Sequence, residues 1–298
     1  MVFYYKNVIQ IINFSNNNIV FFWVLIKYSW TKYTNKQLSE VETALIILSK
    51  DYDQLFNVID ELISRKGYRT KKNGIQIIYD TYFDTKDEIL QKNEIALRIR
   101  IIDEQVSKIT LKILQNTTEN YSERIEIEDI YSTEMLNQII LKINSYLNLN
   151  IFSFPLKYYN NDPKLNLINL GFKKILNKQT QRKIFNAVNK SSNQTEFEFV
   201  FDTTSYTSNN NNNITNIELE IESKLSKNNT ILNDFVRDLK LNQTLFKYWP
   251  YNKLLTGKAI EILSYNNELK ENKDYDDKKI LTLSGLEKIE ILIKSRNI

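Results

Sequence analysis

The chain has 298 residues, of which 42% are hydrophobic and 26% are charged, as expected of a globular protein with a sizeable core. It contains no histidine and no cysteine, which excludes Ser-His-Asp hydrolase triads, histidine or thiolate zinc sites and disulfides. The net charge of +4 is mild and the two signs are interleaved along the chain, so we expect no stable nucleic-acid partner.

Residues 1–37 lack a clear hydrophobic period, and we interpret them as an N-terminal extension. The extension includes a short apolar run at 19–26, whereas a membrane-spanning helix needs about 20 apolar residues. No small-residue cleavage site is evident near the run. We therefore expect an extra strand or helix packed on the domain, no membrane association and a cytoplasmic location. A poor signal sequence or anchor is the alternative.

The hydrophobic pattern then predicts alternating strands and helices over residues 38–262, followed by a polar tail at 263–298. Strands are predicted at 40–48, 75–84, 96–102, 107–114, 121–130, 171–175, 181–187, 195–202 and 217–222. Helices are predicted near 52–65, 132–147 and 230–241. We expect a connection at 150–166 and a surface loop or disordered insertion at the Asn-rich 209–213. The tail either forms a closing helix around 281–295 or is loosely held.

Charged or polar residues recur at every second position of five predicted strands, and several of these runs carry charges of one sign. The runs are Glu40 and Glu42; Arg98 and Arg100; Thr110 and Lys112; Arg124, Glu126 and Glu128; and Glu218, Glu220 and Glu222. Residues two apart on a strand share a face, so each strand has one charged face and one apolar face.

Two architectures explain such strands. An open amphipathic sheet would place the charged face in solvent. A closed barrel would bring acidic and basic strands into one interior, where carboxylates can hold divalent cations while Arg and Lys hold phosphate oxygens. Like charges on one strand face repel unless something between them neutralises them, and this favours the barrel.

The motifs that carry these charges resemble, in order, those of the CYTH or triphosphate tunnel metalloenzyme superfamily. The similar segments are Glu40-Val41-Glu42, Tyr82–Thr85, Ala96–Arg100, Thr110–Lys112, Glu123–Glu126, Gly171-Phe172 with Gln181-Arg182, Asp202, Ile217–Glu222 and Pro250–Leu255. The resemblance covers about residues 38–258. It implies an α+β fold, an eight-stranded antiparallel β-barrel (the triphosphate tunnel) with helices packed on the outside.

The resemblance also implies a metal-dependent hydrolase of inorganic or organic triphosphates. Its substrate would be inorganic tripolyphosphate, thiamine triphosphate or a nucleoside triphosphate, with Mg²⁺ or Mn²⁺ as cofactor. The metal-ligand candidates are Glu40, Glu42, Glu218 and Glu220. The phosphate-binding candidates are Arg98, Arg100, Lys112, Arg124 and Arg182, for which a salt-bridge network with the glutamates is the alternative. The catalytic candidates are Glu126, which could orient water, and Asp202, which could bind a second metal, orient water or cap a helix.

One position departs from the family pattern. Ala44 stands where the first motif, Glu-x-Glu-x-Lys, has its lysine, and in relatives that lysine contacts substrate phosphate. Asn252 or Lys253 in the closing segment could compensate for the loss. The departure keeps open a catalytically weakened module that binds polyphosphate or nucleotide. A class IV adenylate cyclase is the other alternative, because the residue set alone does not separate hydrolysis from cyclisation.

Overall fold

The computed structural model describes residues 14–15, 18–19, 38–149, 162–207, 213–225 and 229–296. The chain divides into two compact units, residues 1–36 and 37–298. In the first unit, β1 (Phe14–Ser15) and β2 (Asn18–Ile19) form an antiparallel pair. Most of the apolar run, residues 20–26, lies outside the described residues, as do 150–161 of the expected connection and 208–212 around the expected Asn-rich loop.

Eight antiparallel strands of the second unit close into a barrel, with β10 and β3 pairing to complete the ring. The strands are β3 (Leu38–Ile47), β4 (Tyr68–Asp84), β5 (Ile95–Ile102), β6 (Val106–Thr117), β7 (Ser122–Ile130), β8 (Lys173–Asn189), β9 (Thr195–Thr207) and β10 (Asn213–Ser223). Their order around the wall is β10, β9, β8, β4, β5, β6, β7 and β3. A short strand, β11 (Phe246–Tyr248), also pairs with β3. The predicted fold class is therefore confirmed.

Helices pack on the outside of the barrel wall and cover the apolar face of its strands. They are α1 (Tyr52–Arg65), α2 (Ile89–Lys92), α3 (Thr133–Leu147), α4 (Pro163–Asn169), α5 (Asn229–Lys240), α6 (Lys253–Tyr265) and α7 (Leu283–Arg296). The predicted helices near 52–65, 132–147 and 230–241 are confirmed as α1, α3 and α5. The Asp51 carboxylate caps the first of them by accepting from the Gln54 N–H at 2.9 Å.

The outward side chains form three apolar clusters between the wall and the helices. Helices α1 and α5 cover β3, β9 and β10, where Leu45, Phe197 and Leu219 are buried. Helix α3 covers β5 and β6. Because the apolar faces of the strands lie under helices, the charged faces must point into the barrel. The open amphipathic sheet, with its charges in solvent, is therefore wrong for this chain.

Two features differ from the sequence-based expectation. The segments predicted at 171–175 and 181–187 belong to one strand, β8, which stays paired with β4 along its length despite its polar residues. Helix α6 was not predicted, because its residues are apolar on several sides and show little helical periodicity. Near the end of the chain, α7 buries Leu286 and Ile289 against α6. No helix in the described ranges is both long and apolar enough to cross a membrane.

One end of the barrel is filled by an apolar plug. Its members are the inward-facing Ile46, Tyr82, Leu176, Tyr206 and Ile214, with Trp249 and Leu254 from the segment that begins α6. Helix α6 lies close against the plug because Gly257 has no side chain. A Cβ at that position would come within 2.5 Å of Leu176 Cδ2 and 2.7 Å of the Tyr206 ring.

We predict that Gly257→Ala destabilises the protein by about 1–3 kcal/mol, since the added methyl overpacks a buried contact. In an exposed helix the same change should stabilise by about 1 kcal/mol, because alanine has the higher helix propensity. Chemical denaturation of the two proteins measures the difference. A variant as stable as the parent would show that α6 does not depend on this close approach.

Candidate active site inside the barrel

The barrel brings all of the predicted site residues onto one inner surface. Their side chains contact one another across intervening strands, as when Lys112 of β6 reaches Glu40 of β3 over β7. The residues brought together are Glu40, Glu42, Arg98, Arg100, Lys112, Arg124, Glu126, Arg182, Asp202, Glu218 and Glu220. The alternative interpretation of the basic residues, a salt-bridge network with the acids, agrees with these ion pairs.

The first group of charges surrounds Asp80 on β4. Arg100 donates two hydrogen bonds to this carboxylate, at 2.8 Å to Oδ1 and 3.0 Å to Oδ2. The Lys178 ammonium lies 2.7 Å from Oδ2, and the Arg98 guanidinium lies 3.8 Å from it. Burial would raise the pKa of the Asp80 carboxyl, but these cations outweigh burial and hold the pKa well below its usual range. One buried acid therefore keeps three cations together.

Arg98 has the weakest set of partners among these cations. Its ion pairs with Asp80, Glu126 and Glu128 measure 3.7–3.9 Å, which is longer than a hydrogen bond. Its buried Nε has no hydrogen-bond partner among the described residues. A buried guanidinium with an unused donor is costly, and a phosphate oxygen is the kind of acceptor that its planar fork matches.

A second group lies on β3, β6 and β7 around Lys112. Its ammonium is 2.6 Å from Glu40, 3.4 Å from Glu126 and 3.7 Å from Glu42. Glu42 is also paired with Arg124. Burial alone would lower the pKa of Lys112, but the carboxylates of Glu40 and Glu126 raise it above its usual value. The ammonium is therefore charged at neutral pH and is neutralised by these carboxylates.

The third group, which we call the acidic cluster, consists of Asp202, Glu218 and Glu220 on β9 and β10. Arg182 donates to both oxygens of Asp202 and to Glu220 at 2.9 Å. Lys253, at the start of α6, contacts all three carboxylates. Burial raises the pKa of Glu218 above its usual value, whereas Lys253 and Arg182 outweigh burial at Glu220 and hold its pKa well below. Three acids thus share two cations.

The hard carboxylate oxygens of these groups are the donor type that Mg²⁺ and Mn²⁺ prefer. Glu40 and Glu220 lie on the paired strands β3 and β10. Burial would raise the pKa of Glu40, but Lys112 and Arg124 outweigh burial and hold the pKa below its usual value. In the described part of the chain, no three acidic side chains are gathered as a ready metal cluster. Lys112 and Lys253 lie between the acids instead. The donor set fits a divalent ion that would compete with these ammonium groups.

Sequence reasoning missed two inward-facing residues, Asp80 and Lys178, and it named Lys253 only as a possible replacement for the lysine absent at Ala44. Asp80 lies two residues before Tyr82, and Lys178 lies two before Thr180 and four before Arg182. Both follow the alternation that identified the other strands, so the pattern could have found them. Lys253 enters from a helix outside the wall, and no strand pattern marks it. Asp84, by contrast, accepts from the N–H groups of Leu90 and Gln91 and caps α2, so its role at this strand end is structural.

Comparison with known families agrees with this geometry. A family model for the CYTH domain matches residues 38–247, which is more than half of the chain. The chain belongs to the CYTH domain family. The resemblance found in the motifs is therefore confirmed. No curated protein matches the sequence.

Several solved structures are similar to this CYTH chain. An adenylyl cyclase candidate from Hippeastrum with a dominant triphosphatase activity is 16% identical, covering 74% of this chain and 96% of that protein, with a TM-score of 0.45. An adenylate cyclase candidate from Bacillus halodurans is 20% identical, covering 72% and 96%, with a TM-score of 0.40. The Pct1 RNA triphosphatase of S. pombe is 12% identical, covering 69% and 77%, with a TM-score of 0.30.

We predict that Asp80→Asn destabilises this CYTH domain by about 3–5 kcal/mol, because it leaves Arg98, Arg100 and Lys178 crowded without their shared anion. Tripolyphosphate should recover part of this loss by supplying the missing negative charge. Urea denaturation with and without the anion measures both effects.

The matched control for this experiment is Asp234→Asn, which breaks an exposed ion pair with Arg237 on α5. It should cost less than about 1 kcal/mol. Equal losses for the two variants would contradict a special role for the buried acid.

Proposed function

We propose that this chain is a metal-dependent hydrolase of inorganic or organic triphosphates that binds its substrate inside the barrel. The observation that carries the proposal is the Arg98 guanidinium, which is buried in the interior with an unpaired Nε, long ion pairs and a long hydrogen bond of 3.5 Å to the Tyr82 hydroxyl. Family membership supports a phosphohydrolase activity at the level of the CYTH domain. The substrate classes we propose are tripolyphosphate, thiamine triphosphate and nucleoside triphosphates.

The basic residues of the interior would bind the phosphate groups. Arg98, Arg100, Lys112, Arg124 and Arg182 come from four different strands and are spread along the inner wall. Each is now held by a carboxylate, and a phosphate oxygen can replace that partner because both are anionic oxygen acceptors. Spaced cations of this number suit a linear polyanion better than a single phosphate.

Glu40, Glu42, Glu218 and Glu220 would hold Mg²⁺ or Mn²⁺. Such an ion, when bound, would neutralise phosphate charge and lower the pKa of a coordinated water.

Of the two catalytic candidates, Glu126 is the less tightly paired, since its contacts with Lys112 and Arg98 are 3.4 and 3.9 Å long. We assign it the orientation of the attacking water. Asp202 is fully buried and bound to Arg182, and this geometry favours a role in positioning that arginine.

Phosphoryl transfer depends mostly on positioning and on neutralising charge, and the barrel residues supply both. The cations would align the phosphate chain, and the plug of aromatic and aliphatic side chains would exclude water from one end. A nucleophile would then reach the phosphate chain from the part of the interior that the plug does not fill. Water as the nucleophile gives hydrolysis, whereas a ribose hydroxyl would give cyclisation.

The decisive test incubates purified protein with tripolyphosphate, thiamine triphosphate and nucleoside triphosphates, each with Mg²⁺ and with Mn²⁺. We expect release of phosphate from triphosphates and little release from mono- and diphosphates, since the shorter anions engage fewer cations. Phosphate, pyrophosphate and cyclic nucleotide are all measured. If cyclic nucleotide were the main product, the protein would be a cyclase and the proposed hydrolase activity would be wrong.

We predict that Glu40→Gln and Glu220→Gln each lower metal-dependent turnover at least about 100-fold at limiting metal, since even outer partners of metal ligands are worth roughly 10–100-fold. Circular dichroism should show an intact fold. Glu290→Gln, on the surface of α7, is the control and should keep the parental rate. Unchanged rates for both site variants would refute the ligand assignment.

Ala44 gives specific support to a second function, a module that binds polyphosphate or nucleotide without turnover. Its side chain adds no cation to the interior beside the acidic cluster. Binding of tripolyphosphate that raises thermal stability, with no product from any triphosphate, would favour this function over hydrolysis.

A further inference from the structure

Strand β4 extends farther than its neighbour β5, so part of one edge of β4 lacks a partner strand among the described residues. It pairs with β8 along its whole length, whereas pairing with β5 begins only at Ile78. The turn after β5 ends that ladder, because Asp103 donates its N–H to the Ile77 carbonyl and accepts from the Ile77 N–H, both at 2.8 Å. We call residues 69–76 of β4, which lie before this point, the projecting edge.

The projecting edge directs backbone hydrogen-bonding groups away from the sheet. Successive residues of an antiparallel strand direct their N–H and C=O groups to alternate sides. Ile77 directs its groups away from β8, so Ile75 directs its groups to the same side. The one-residue bulge after Lys72 shifts the alternation by one, so Lys72 and Thr70 face this side too. Such groups can pair with an added extended chain.

The side chains around the projecting edge are basic and apolar. Lys71 and Lys72 are exposed and, as consecutive residues of a strand, point to opposite faces. Lys183 of β8 is exposed and is the Cα partner of Ile75, whose own side chain is 60% exposed. The acidic Asp103 lies beyond the end of this edge, in the turn after β5. An extended segment that carries carboxylates and apolar side chains complements this surface.

A second copy of this chain is a poor partner for the projecting edge. Two such edges in antiparallel pairing would bring the lysines of one copy against those of the other, and like charges on facing strands repel. Lysines and bulges are features by which edge strands avoid pairing with their own kind. The same lysines attract a partner of opposite charge, so the edge selects for acidic segments.

We propose that the projecting edge binds an extended acidic segment of a partner protein, which adds a strand to the barrel wall. The backbone of the partner pairs with the N–H and C=O groups of Thr70, Lys72 and Ile75, and its carboxylates meet Lys71 and Lys72. Strand β4 runs from this edge to Tyr82 in the plug. The added strand therefore raises the wall beside β5 at the end of the barrel that the plug does not fill.

The test measures amide hydrogen exchange in the full-length chain by NMR, with and without a blocked decapeptide of alternating valine and glutamate. In the free protein we expect fast exchange at Thr70, Lys72 and Ile75, and slow exchange at Lys71, whose N–H faces β8. The peptide should slow exchange at the three edge amides and leave Lys71 unchanged. Slow exchange at the edge without peptide would show that another segment of this chain, or a second copy, already occupies it, and would overturn the inference.

Two further peptides distinguish strand pairing from charge attraction. A decapeptide with lysine in place of glutamate should not bind, because its charges repel those of the edge. The valine–glutamate peptide with N-methyl groups on its four central residues keeps its charge but loses amide donors on both of its edges. It should bind at least about tenfold more weakly in an NMR titration. Equal affinities for the three peptides would overturn the inference.

Ile75→Pro removes one edge N–H and leaves the ladder to β8 intact, since proline is tolerated on an edge strand. It should weaken the valine–glutamate peptide at least about tenfold. Ile75→Val, which keeps the N–H, is the matched control and should bind the peptide as the parent does. If Ile75→Pro does not fold, the N-methylated peptide decides the same question without a change to the protein.

A charge-reversed variant, Lys71→Glu with Lys72→Glu, should also weaken the valine–glutamate peptide at least about tenfold, since like charges across an interface are costly. Its matched control is Lys273→Glu with Lys278→Glu, which changes net charge equally at exposed positions near the end of the chain. Equal losses in the two double variants would show attraction to net charge alone and would overturn the inference.

Discussion

Charges buried inside a protein are tolerated only where each one meets an opposite charge, and the barrel depends on this condition. Moving an unpaired ion out of water costs several kcal/mol even after the surroundings relax. The interior avoids that cost by distributing acids and bases over all of its strands. Asp80 gathers three cations, and Lys253 gathers three carboxylates. Either of these residues without its partners would make the closed barrel unfavourable.

Under the proposed function, the same pairing would allow the interior to accept a polyanion and a metal ion. Each carboxylate that neutralises an arginine or lysine is a partner that a phosphate group can replace. Each ammonium that neutralises a glutamate is a partner that a divalent ion can replace. If both ligands bound, each displaced acid would meet the metal and each displaced base would meet a phosphate, so fewer buried charges would be left unpaired than with one ligand alone. The barrel therefore holds a network of internal ion pairs, which under the proposed function would be exchanged for contacts to substrate and metal.

Helix α6 links the outer layer to this network. It packs against the plug through Gly257, and its first residue places an ammonium in the acidic cluster. One short segment, residues 249–257, thus contributes both to the packing of the barrel end and to the charge of the site. A change in the packing of α6 would move Lys253 and alter the charge of the interior.

The local features of this protein could be predicted from its amino-acid sequence alone. Alternating charges on β5, β7 and β10 identified strands with one charged face, and the period of α1, α3 and α5 identified amphipathic helices. The order of the motifs identified the family. These signals are local, because side-chain direction along a strand or helix depends only on residue spacing. Asp80 and Lys178 follow the same alternation and could have been predicted from it.

The direction in which those faces point, and the pairing of the charges, depend on the tertiary structure. A strand with one charged and one apolar face fits an open sheet or a closed barrel equally well, and closure depends on the pairing of β3 with β10, far apart in the chain. The long β8 persists because its neighbours β4 and β9 satisfy its backbone, whatever its side chains prefer. The position of Lys253 follows from how α6 docks on the plug. Spacing along the chain contains no information about such docking, because it is set by packing between distant segments.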